Sequence, residues 1–365
     1  MSRERLLAIE AELRTRYINR DDEIHGMLLA ALSGQHVVLL GPPGTAKSMM
    51  IKDFSECLLA KHFQWLMTKF TTPEEIFGPV DIAALKQGEF RRVVKGKIPE
   101  AEVAYLDEVF KANSPILNSL LSVLQERVFY NDSVPIQCPL LFAVGSSNEL
   151  PDEEEGLAAL YDRFLLRYNT GYLRDMSSFT SLMQLQPTSK TVAPIDHTEL
   201  LSDKAAAMAL LPDPEAIESL GIVWSRLKEA GVIASDRRYK QMLQVMAAES
   251  WLMGCNTVVA ESLLVGVHIL WDKPDKERLV NQVVRSSVNP GLAKAQEIEQ
   301  AAKTAMAELN EGSGHSADEV LQTIRQLKQL RKDLEGFKQS AAIAKVGSKL
   351  DEYITNALEK MVGVA

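Results

Sequence analysis

The sequence predicts an α/β protein in which a parallel sheet carries helices on both faces and is followed by a long helical region. Three observations predict this fold class. Short apolar segments that suit buried strands alternate with amphipathic segments that suit helices in the first part of the chain. A glycine-rich turn directly follows the first of these strands. Beyond about residue 176 the strand signal fades, and helical periodicity continues to the C-terminus.

The predicted elements follow an order typical of a sheet that is covered on both faces. Two helices with apolar residues at three- and four-residue steps come first. A buried strand at residues 37–40 precedes the glycine-rich turn, and a helix at about residues 46–59 follows it. Further strands are predicted at residues 64–69, 102–106 and 140–146. Because such sheets bind ligands at the carboxyl ends of their strands, we expect the functional site there.

Composition and charge limit the class of protein. The formal net charge is −9, which disfavours a protein whose main task is to hold nucleic acid. No apolar run approaches the roughly 18 residues that a membrane span requires, and the N-terminus lacks the apolar segment of a signal peptide. We therefore expect a cytoplasmic protein. Cys57, Cys138 and Cys255 show neither a disulfide framework nor the spacing of zinc ligands.

The clearest motif is a phosphate-binding loop between the first strand and the next helix. It consists of Gly41, Pro42, Pro43, Gly44, Thr45, Ala46, Lys47 and Ser48, and the predicted nucleotide contacts extend to Met49. Its glycines let backbone N–H groups surround phosphates, and the helix that follows points its positive end at the same charge. Lys47 is predicted to reach the β- and γ-phosphates, and the Ser48 hydroxyl to bind Mg²⁺. Ala46 stands where the common pattern has glycine, and we expect it to fit with a negative φ.

Two later strands end in residues that suit ATP hydrolysis. Asp107 and Glu108 follow an apolar strand, and Asp107 is predicted to hold Mg²⁺ directly or through water. Glu108 is predicted to be the general base that polarises the attacking water. Asn148 follows the next predicted strand and would orient that water. Taken alone, Asn148 is better explained as a cap of the turn before Pro151.

The phosphate loop, the acidic pair and the asparagine, in this order and spacing, resemble the core of AAA+ ATPases. Longer segments are similar to the MoxR family, and within that family most of all to the RavA-like branch. The similarity covers about residues 5–275 and becomes loose beyond Pro274. Its most specific segments are residues 70–79, 96–101, 104–112, 117–127, 147–151 and 159–167.

The resemblance implies a domain organisation. An AAA+ core is expected at residues 1–175, with a helix-two insert that forms a small hairpin at about residues 77–98. A helical lid is expected at residues 176–273 and a C-terminal helical domain at residues 274–365. RavA-like proteins carry a small β-rich insertion in this last region. Here nothing in it has a strand pattern, so this part of the chain departs from that branch.

The resemblance also implies roles for two arginines. Arg163 is expected to be the arginine finger that reaches the γ-phosphate held by the neighbouring subunit, with Arg167 as the alternative. An arginine suits this role because it adds positive charge as the transition state develops. Arg237 is expected to be the second sensor, with Arg238 as the alternative. A helix start capped by Ser235 or Asp236 is compatible with that role.

The predicted function is that of a ring-forming ATPase that uses ATP and Mg²⁺ to remodel or activate a partner protein complex. The family resemblance implies a ring of six subunits. The resemblance further implies a partner with a von Willebrand A domain. Two alternatives stay open. Basic residues within residues 91–97 support a DNA-directed motor, which the acidic net charge opposes. A scaffold that uses nucleotide as a switch is opposed by the intact Glu108 and Arg163.

Overall fold

The computed structural model of the chain describes residues 2–132, 134–150, 155–173, 175–185, 191–288, 295, 298–306, 317–335 and 341–364. The chain forms two compact units. One comprises Met1–Ile217 and Val232–Glu277, and the other Glu218–Gly231 and Arg278–Ala365. This division reflects compactness, whereas the three-domain division given above follows functional resemblance and stays a prediction.

Helices and strands alternate through the first part of the chain. From the N-terminus to residue 253 they are α1 (Ser2–Arg16), α2 (Asp21–Ser33), β1 (Val37–Leu40), α3 (Lys47–Cys57), β2 (His62–Leu66), α4 (Pro73–Phe77), α5 (Ile82–Leu85), β3 (Val103–Asp107), α6 (Ser114–Glu126), β4 (Val128–Asn131), β5 (Val134–Gln137), β6 (Phe142–Ser147), α7 (Glu155–Arg163), β7 (Leu166–Asn169), α8 (Met176–Gln184), α9 (His197–Met208), α10 (Pro214–Glu229) and α11 (Asp236–Met253). Short 3-10 helices lie at Ile98–Glu100, Val109–Lys111, Ala260–His268 and Pro274–Lys276. The first predicted strand is confirmed at its predicted bounds, and the others shift by one to three residues.

A parallel sheet forms the centre of the first unit, as predicted. Its strand order is β2-β3-β6-β1-β7, and every neighbouring pair runs parallel. All residues of β1 and β6 are buried, so both faces of the sheet are covered. The carboxyl ends of β1, β3 and β6 lie side by side at one edge. The residues that follow these three strands therefore meet there.

Part of the predicted lid packs with the sheet unit. Helices α9 and α11 both contact α2, which in turn contacts β1 and β7. Helix α11 begins after Ser235, whose hydroxyl accepts a hydrogen bond from the N–H of Arg238 at 3.3 Å. This confirms the predicted cap. The packing on α2 explains why residues 232–277 fall into the same compact unit as the sheet.

The predicted insert at residues 77–98 turns back on itself, but with less β-structure than the hairpin that was expected. The outgoing and returning chains pair antiparallel around Val80 and Arg92, and the N–H of Asp81 donates to the carbonyl of Arg91 at 2.7 Å. Helix α5 lies beyond this pairing. The Asp81 side chain accepts hydrogen bonds from Ala83 and Ala84, which favours a helical turn at this position over a continued strand.

A second protrusion, the β4–β5 hairpin, is missing from the predicted elements. It pairs Val128 with Gln137 and Asn131 with Val134 in antiparallel register. The Asn131 side chain accepts from the N–H of Arg92 at 2.7 Å and donates to the carbonyl of Arg92 at 3.0 Å. One buried amide therefore ties this hairpin to the insert, in the way that a neighbouring strand would.

The second unit is helical in the residues that the structure describes. Its elements include α12 (Glu277–Val288), helical residues 298–306, α13 (Ala317–Glu335) and α14 (Ala341–Val364). Helical spacing in the sequence predicts that Val320, Ile324, Leu327 and Leu334 share one buried face, and all four lie in the buried core. The sequence further predicts a turn at residues 310–315, a helix cap at Ser316 and a fifth apolar position at Phe337, and these lie outside the described residues. No helix in the described part of the chain has the length and apolar character to cross a membrane.

Candidate functional site

A cleft at the carboxyl edge of the sheet brings most of the predicted site residues together. Its volume is about 460 Å³, and its walls include Lys47, Ser48, Asp107, Glu108 and Asn148. The remaining lining residues are Pro43, Gly44, Thr45, Ala46, Met49, Leu66 and Tyr105. Gly41 and Pro42 line a cleft of about 280 Å³ that shares Asn148 with the first. Residues from three separate strand ends thus face one space, as the sheet topology predicts.

The glycines of the phosphate loop occupy positions that other residues would not fit. The N–H of Gly41 donates to the carbonyl of Ser147 at 2.9 Å, and a Cβ at Gly41 would lie 1.9 Å from the carbonyl oxygen of Thr170. Gly44 has φ of +78°, and the space beside its Cα is open. The first glycine therefore allows close backbone approach, and the second allows the left-handed turn that a phosphate cradle requires.

The expectation of a negative φ at Ala46 is wrong. Ala46 has φ of 62° and ψ of 17°, which is the left-handed conformation, and α3 begins directly after it. An L-residue with a Cβ is disfavoured there by about 1–2 kcal/mol relative to the right-handed region. The loop therefore keeps the backbone path that glycine would take, and Ala46 is a strained residue at the functional site.

Replacing Ala46 by glycine is expected to raise the free energy of unfolding by roughly 0.5–1 kcal/mol, because relief of the strain exceeds the entropy that glycine loses on folding. Calorimetric melting of the full chain measures this change. Ala206 provides a matched control, since it is exposed in the interior of α9, where the same change should destabilise by about 1 kcal/mol. A lower melting temperature for Ala46→Gly would show that the left-handed backbone is not strained.

Lys47 and Arg20 brace the loop from two sides. The ammonium of Lys47 donates to the carbonyls of Gly41 at 2.7 Å and Pro42 at 2.9 Å, and burial lowers its pKa. Buried Arg20 donates to the carbonyl of Thr45 at 3.3 Å and to that of Gly171 at 2.7 Å. No side chain near Arg20 was expected to take part in the site. The only hint in the sequence is an arginine at the N-cap of α2, where small polar residues are preferred.

The acidic pair ends β3 in a constrained geometry. The Asp107 carboxylate accepts hydrogen bonds from the Ser146 hydroxyl and, at 3.1 Å, from the N–H of Glu108. Glu108 has φ of 52°, a left-handed conformation that is uncommon for a residue with a long side chain. Its carboxylate is 3.2 Å from the ammonium of Lys111. Such strain is found mostly at functional sites, where the surrounding fold maintains it.

These residues fit a nucleotide phosphate and Mg²⁺. Open space beside Gly44 and the cation of Lys47 provide a cradle for an anion. Ser48 and Asp107 provide the oxygen ligands that Mg²⁺ prefers, and Mg²⁺ commonly takes only one or two protein ligands besides phosphate and water. The described residues hold no group of three metal-binding side chains, so an all-protein metal cage is not indicated among them. The donor set therefore suits Mg²⁺ carried with a nucleotide.

The two candidate fingers differ in their surroundings. Arg167 is buried, donates to the carbonyl of Trp271 at 2.6 Å and lies 3.9 Å from the ring centre of Tyr161, and its burial lowers its pKa to about 9. Arg163 is half-buried, and its guanidinium is 3.8 Å from the carboxylate of Asp162. Arg167 thus has an internal structural position, whereas the Arg163 side chain keeps 19% of its surface exposed.

The two candidate sensors, Arg237 and Arg238, also differ in burial. Arg238 is buried and donates to Asp162 at 2.7 Å and to the carbonyl of Ile269 at 3.1 Å. Arg237 is half-buried and lies close enough to Arg163 that, after burial, its charge is the main influence that lowers the pKa of Arg163. Neither Arg163 nor Arg237 is among the residues that line the phosphate-loop cleft. The charge of Arg237 thus acts on Arg163, and neither arginine contributes to the lining of the cleft that holds the acidic pair.

Comparison with known proteins agrees with this geometry. Residues 4–209 match the family model described as the MoxR domain in MoxR-vWA-beta-propeller ternary systems, and residues 215–284 match an AAA lid domain. An uncharacterised protein of Methanocaldococcus jannaschii is 36% identical over 288 residues, which cover 78% of this chain and 75% of that protein. Chaperone MoxR1 of Mycobacterium tuberculosis is 28% identical over 165 residues, which cover 44% of this chain and 43% of that protein.

A solved structure shows the same fold. The crystal structure of a proposed ATPase from Cytophaga hutchinsonii covers 78% of this chain and 94% of its own, with a TM-score of 0.61 and 18% identity. The narrower resemblance to the RavA-like branch stays a prediction. The family match spans more than half of the chain and includes the phosphate loop and the acidic pair. The chain therefore belongs to the MoxR family of AAA+ ATPases.

Proposed function

We propose that this protein hydrolyses ATP to ADP and phosphate at sites shared between the subunits of a six-membered ring, and that the ring remodels a partner protein complex in the cytoplasm. One observation carries the proposal. The groups that suit phosphate, Mg²⁺ and water line one cleft, whereas neither Arg163 nor Arg237 is among its lining residues. A second copy of the chain is what would supply an arginine to that cleft.

The polar residues predicted from the sequence have separate roles in this cleft. The loop N–H groups and Lys47 hold the phosphates, and Ser48 and Asp107 hold Mg²⁺, which supplies charge neutralisation when bound. Glu108 takes a proton from the attacking water, and Asn148 orients that water. The ion pair between Glu108 and Lys111 must open or shift for the carboxylate to act as a base.

Arg163 and Arg237 would act from the neighbouring subunit. Both side chains are partly exposed, and the charge of Arg237 acts on Arg163. Together with Arg238, these two arginines act on one carboxylate, that of Asp162, so this patch has a net positive charge that favours an approaching phosphate. Arg167 and Arg238 support this patch, since both donate to the carbonyl of Trp271, at 2.6 Å and 3.3 Å. We propose that Arg163 and Arg237 contact the phosphate. The buried Arg167 and Arg238 would fix the position of the helix ends that carry Arg163 and Arg237.

Charge on the insert favours a protein substrate over DNA. Arg92 donates to Glu74 at 3.0 Å, Lys97 donates to the carbonyl of Glu75 at 2.9 Å, and Arg91 pairs with Glu89 at 2.7 Å. These bonds neutralise or occupy three of the four basic residues that supported the DNA-directed alternative, and the fourth, Lys95, is exposed. A partner with a von Willebrand A domain is supported by the description of the family model that matches residues 4–209.

Arg163→Ala is expected to lower ATP turnover by about 10³-fold or more, because transition-state charge loses its partner, while the melting temperature changes little. Arg167→Ala is the matched comparison, and it should destabilise the fold because it removes a buried cation from three backbone carbonyls. Turnover per chain should also rise with protein concentration as the ring assembles, with particle mass followed by light scattering.

A site shared between subunits requires two results. Arg163→Ala must still assemble, and wild-type turnover must depend on assembly. Equal turnover by the monomer, or an Arg163→Ala variant as active as wild type, would remove the shared site and leave a nucleotide-binding scaffold as the better explanation.

A further inference from the structure

A buried tyrosine connects the two predicted Mg²⁺ ligands beneath the cleft. The hydroxyl of Tyr105, on β3, lies 2.9 Å from the hydroxyl of Ser146, on β6, and 3.5 Å from that of Ser48. The Ser146 hydroxyl in turn donates to the Asp107 carboxylate. Tyr105 and Ser146 are completely buried on neighbouring strands of the sheet, so their positions are fixed by the fold.

The number of hydroxyl protons decides which group donates and which accepts in each of these contacts. A carboxylate accepts hydrogen bonds only, so the single proton of Ser146 is used toward Asp107. The Ser146 oxygen must then accept from Tyr105, which uses the single proton of the phenol. The Tyr105 oxygen is left to accept, and the available donor is the Ser48 hydroxyl. The order is therefore Ser48 to Tyr105 to Ser146 to Asp107.

We propose that Tyr105 and Ser146 are positioning residues that orient both Mg²⁺ ligands through this chain. The Ser48 proton is directed down toward Tyr105, which leaves the oxygen lone pairs of Ser48 for a cation in the cleft. The bond from Ser146 fixes the rotation of the Asp107 carboxylate. Groups that hold metal ligands in orientation typically change metal affinity by about 10–100-fold when they are removed. The inference rests on the proposed function, since it assigns a role within the same site.

Packing alone does not explain a hydroxyl at this position. Tyr105 lies in a strand whose preceding residues are apolar and buried, where phenylalanine would fill the same volume. Placing a hydroxyl in such a site is unfavourable unless the group finds partners. Its partners here are Ser48, which lines the cleft, and Ser146, which donates to the Asp107 carboxylate, so the bonds connect to the two predicted Mg²⁺ ligands.

Mn²⁺ binding to the full chain with ADP tests the proposal, with free Mn²⁺ measured by electron paramagnetic resonance. Tyr105→Phe and Ser146→Ala should each weaken Mn²⁺ binding by roughly 10-fold, and the double variant by little more than the stronger single change, because both act in one chain. ADP binding in EDTA should stay within about twofold of wild type. Tyr168→Phe is the matched control, because it removes a buried hydroxyl from β7, outside the cleft lining.

Failure of the nucleotide site and failure of the positioning role give different results. If wild type binds no Mn²⁺ with ADP, the proposed nucleotide site itself fails. If wild type binds both and Tyr105→Phe equals it in Mn²⁺ affinity, the positioning role is wrong and the site stands. A loss of ADP binding in EDTA as large as the loss of Mn²⁺ binding would also overturn the positioning role, since it would show a general change in the pocket.

Discussion

Glu108→Gln is expected to lower ATP turnover by about 10²–10⁴-fold while ATP binding persists. Glutamine has nearly the same shape as glutamate but cannot accept the proton of the attacking water. The left-handed backbone at Glu108 holds this carboxylate at the cleft beside Asp107, so the variant should keep the geometry and lose only the base. Single-turnover hydrolysis and nucleotide binding, measured on the same preparation, separate the two effects.

A matched control uses a carboxylate away from the cleft. Glu126 is exposed at the end of α6, and Glu126→Gln should hydrolyse ATP at the wild-type rate. Glu108→Gln with turnover near that of the control would require a different base. Loss of ATP binding together with turnover would instead place Glu108 in the architecture of the loop, contrary to the proposed role.

His25→Gln is expected to destabilise the first unit by about 2–3 kcal/mol near neutral pH, because it removes the cation between two partly buried carboxylates. The imidazole bonds to Glu10 of α1 at 2.8 Å and to Glu249 of α11 at 2.7 Å. Burial by itself would lower the pKa of His25, but these two bonds raise it to about 10. The side chain thus carries a positive charge at neutral pH and joins three helices.

The pH dependence follows from the direction of that shift. The pKa of His25 rises from 6.5 to about 10 on folding, so its contribution to stability is fully present below pH 6.5 and is lost as the pH rises toward 10. In that interval the contribution falls by up to about 1.4 kcal/mol per pH unit. On the acid side, the pKa of Glu10 is lowered by His25 and Arg14 despite its burial, so its contribution is lost as the pH falls.

Melting temperatures of wild type and His25→Gln, measured between about pH 7 and about pH 9.5, check this prediction. The difference between the two should be largest near neutrality and shrink with rising pH. His62→Gln is the control, because burial lowers the pKa of His62 below its usual value of 6.5, and the residue is neutral throughout this range. A difference that is constant with pH would show that His25 contributes packing and not charge.

Most of the residues that line the cleft could be predicted from the sequence, because the carboxyl ends of parallel strands lie at one edge of the sheet. Once β1, β3 and β6 were identified, Lys47, Asp107 and Asn148 had to come close, whatever the details of the loops. The helical C-terminal core was predictable for a similar reason. Its apolar residues repeat at helical spacing, and burial of one face then follows.

Other features depend on tertiary contacts that local sequence does not encode. The sequence leaves Arg167 open as the alternative to Arg163. The difference in their surroundings, with Arg167 packed on Tyr161 and bonded to the carbonyl of Trp271, arises from tertiary contacts. The left-handed Ala46 is imposed by the loop that surrounds it, against the preference of the residue. The β4–β5 hairpin was missed because Pro135 lies in β5, where proline argues against a central strand but is tolerated at an edge.

The central claim is that each active site takes residues from two subunits, and mixing two inactive variants tests it most directly. A Glu108→Gln chain keeps Arg163, and an Arg163→Ala chain keeps Glu108, so neither assembles a complete site alone. In rings formed from equal amounts of both, about a quarter of the sites should combine an intact Glu108 with a neighbour's Arg163. The account predicts that ATP turnover returns in the mixture to about that fraction of wild type. A mixture that co-assembles yet stays as inactive as either variant alone would contradict it.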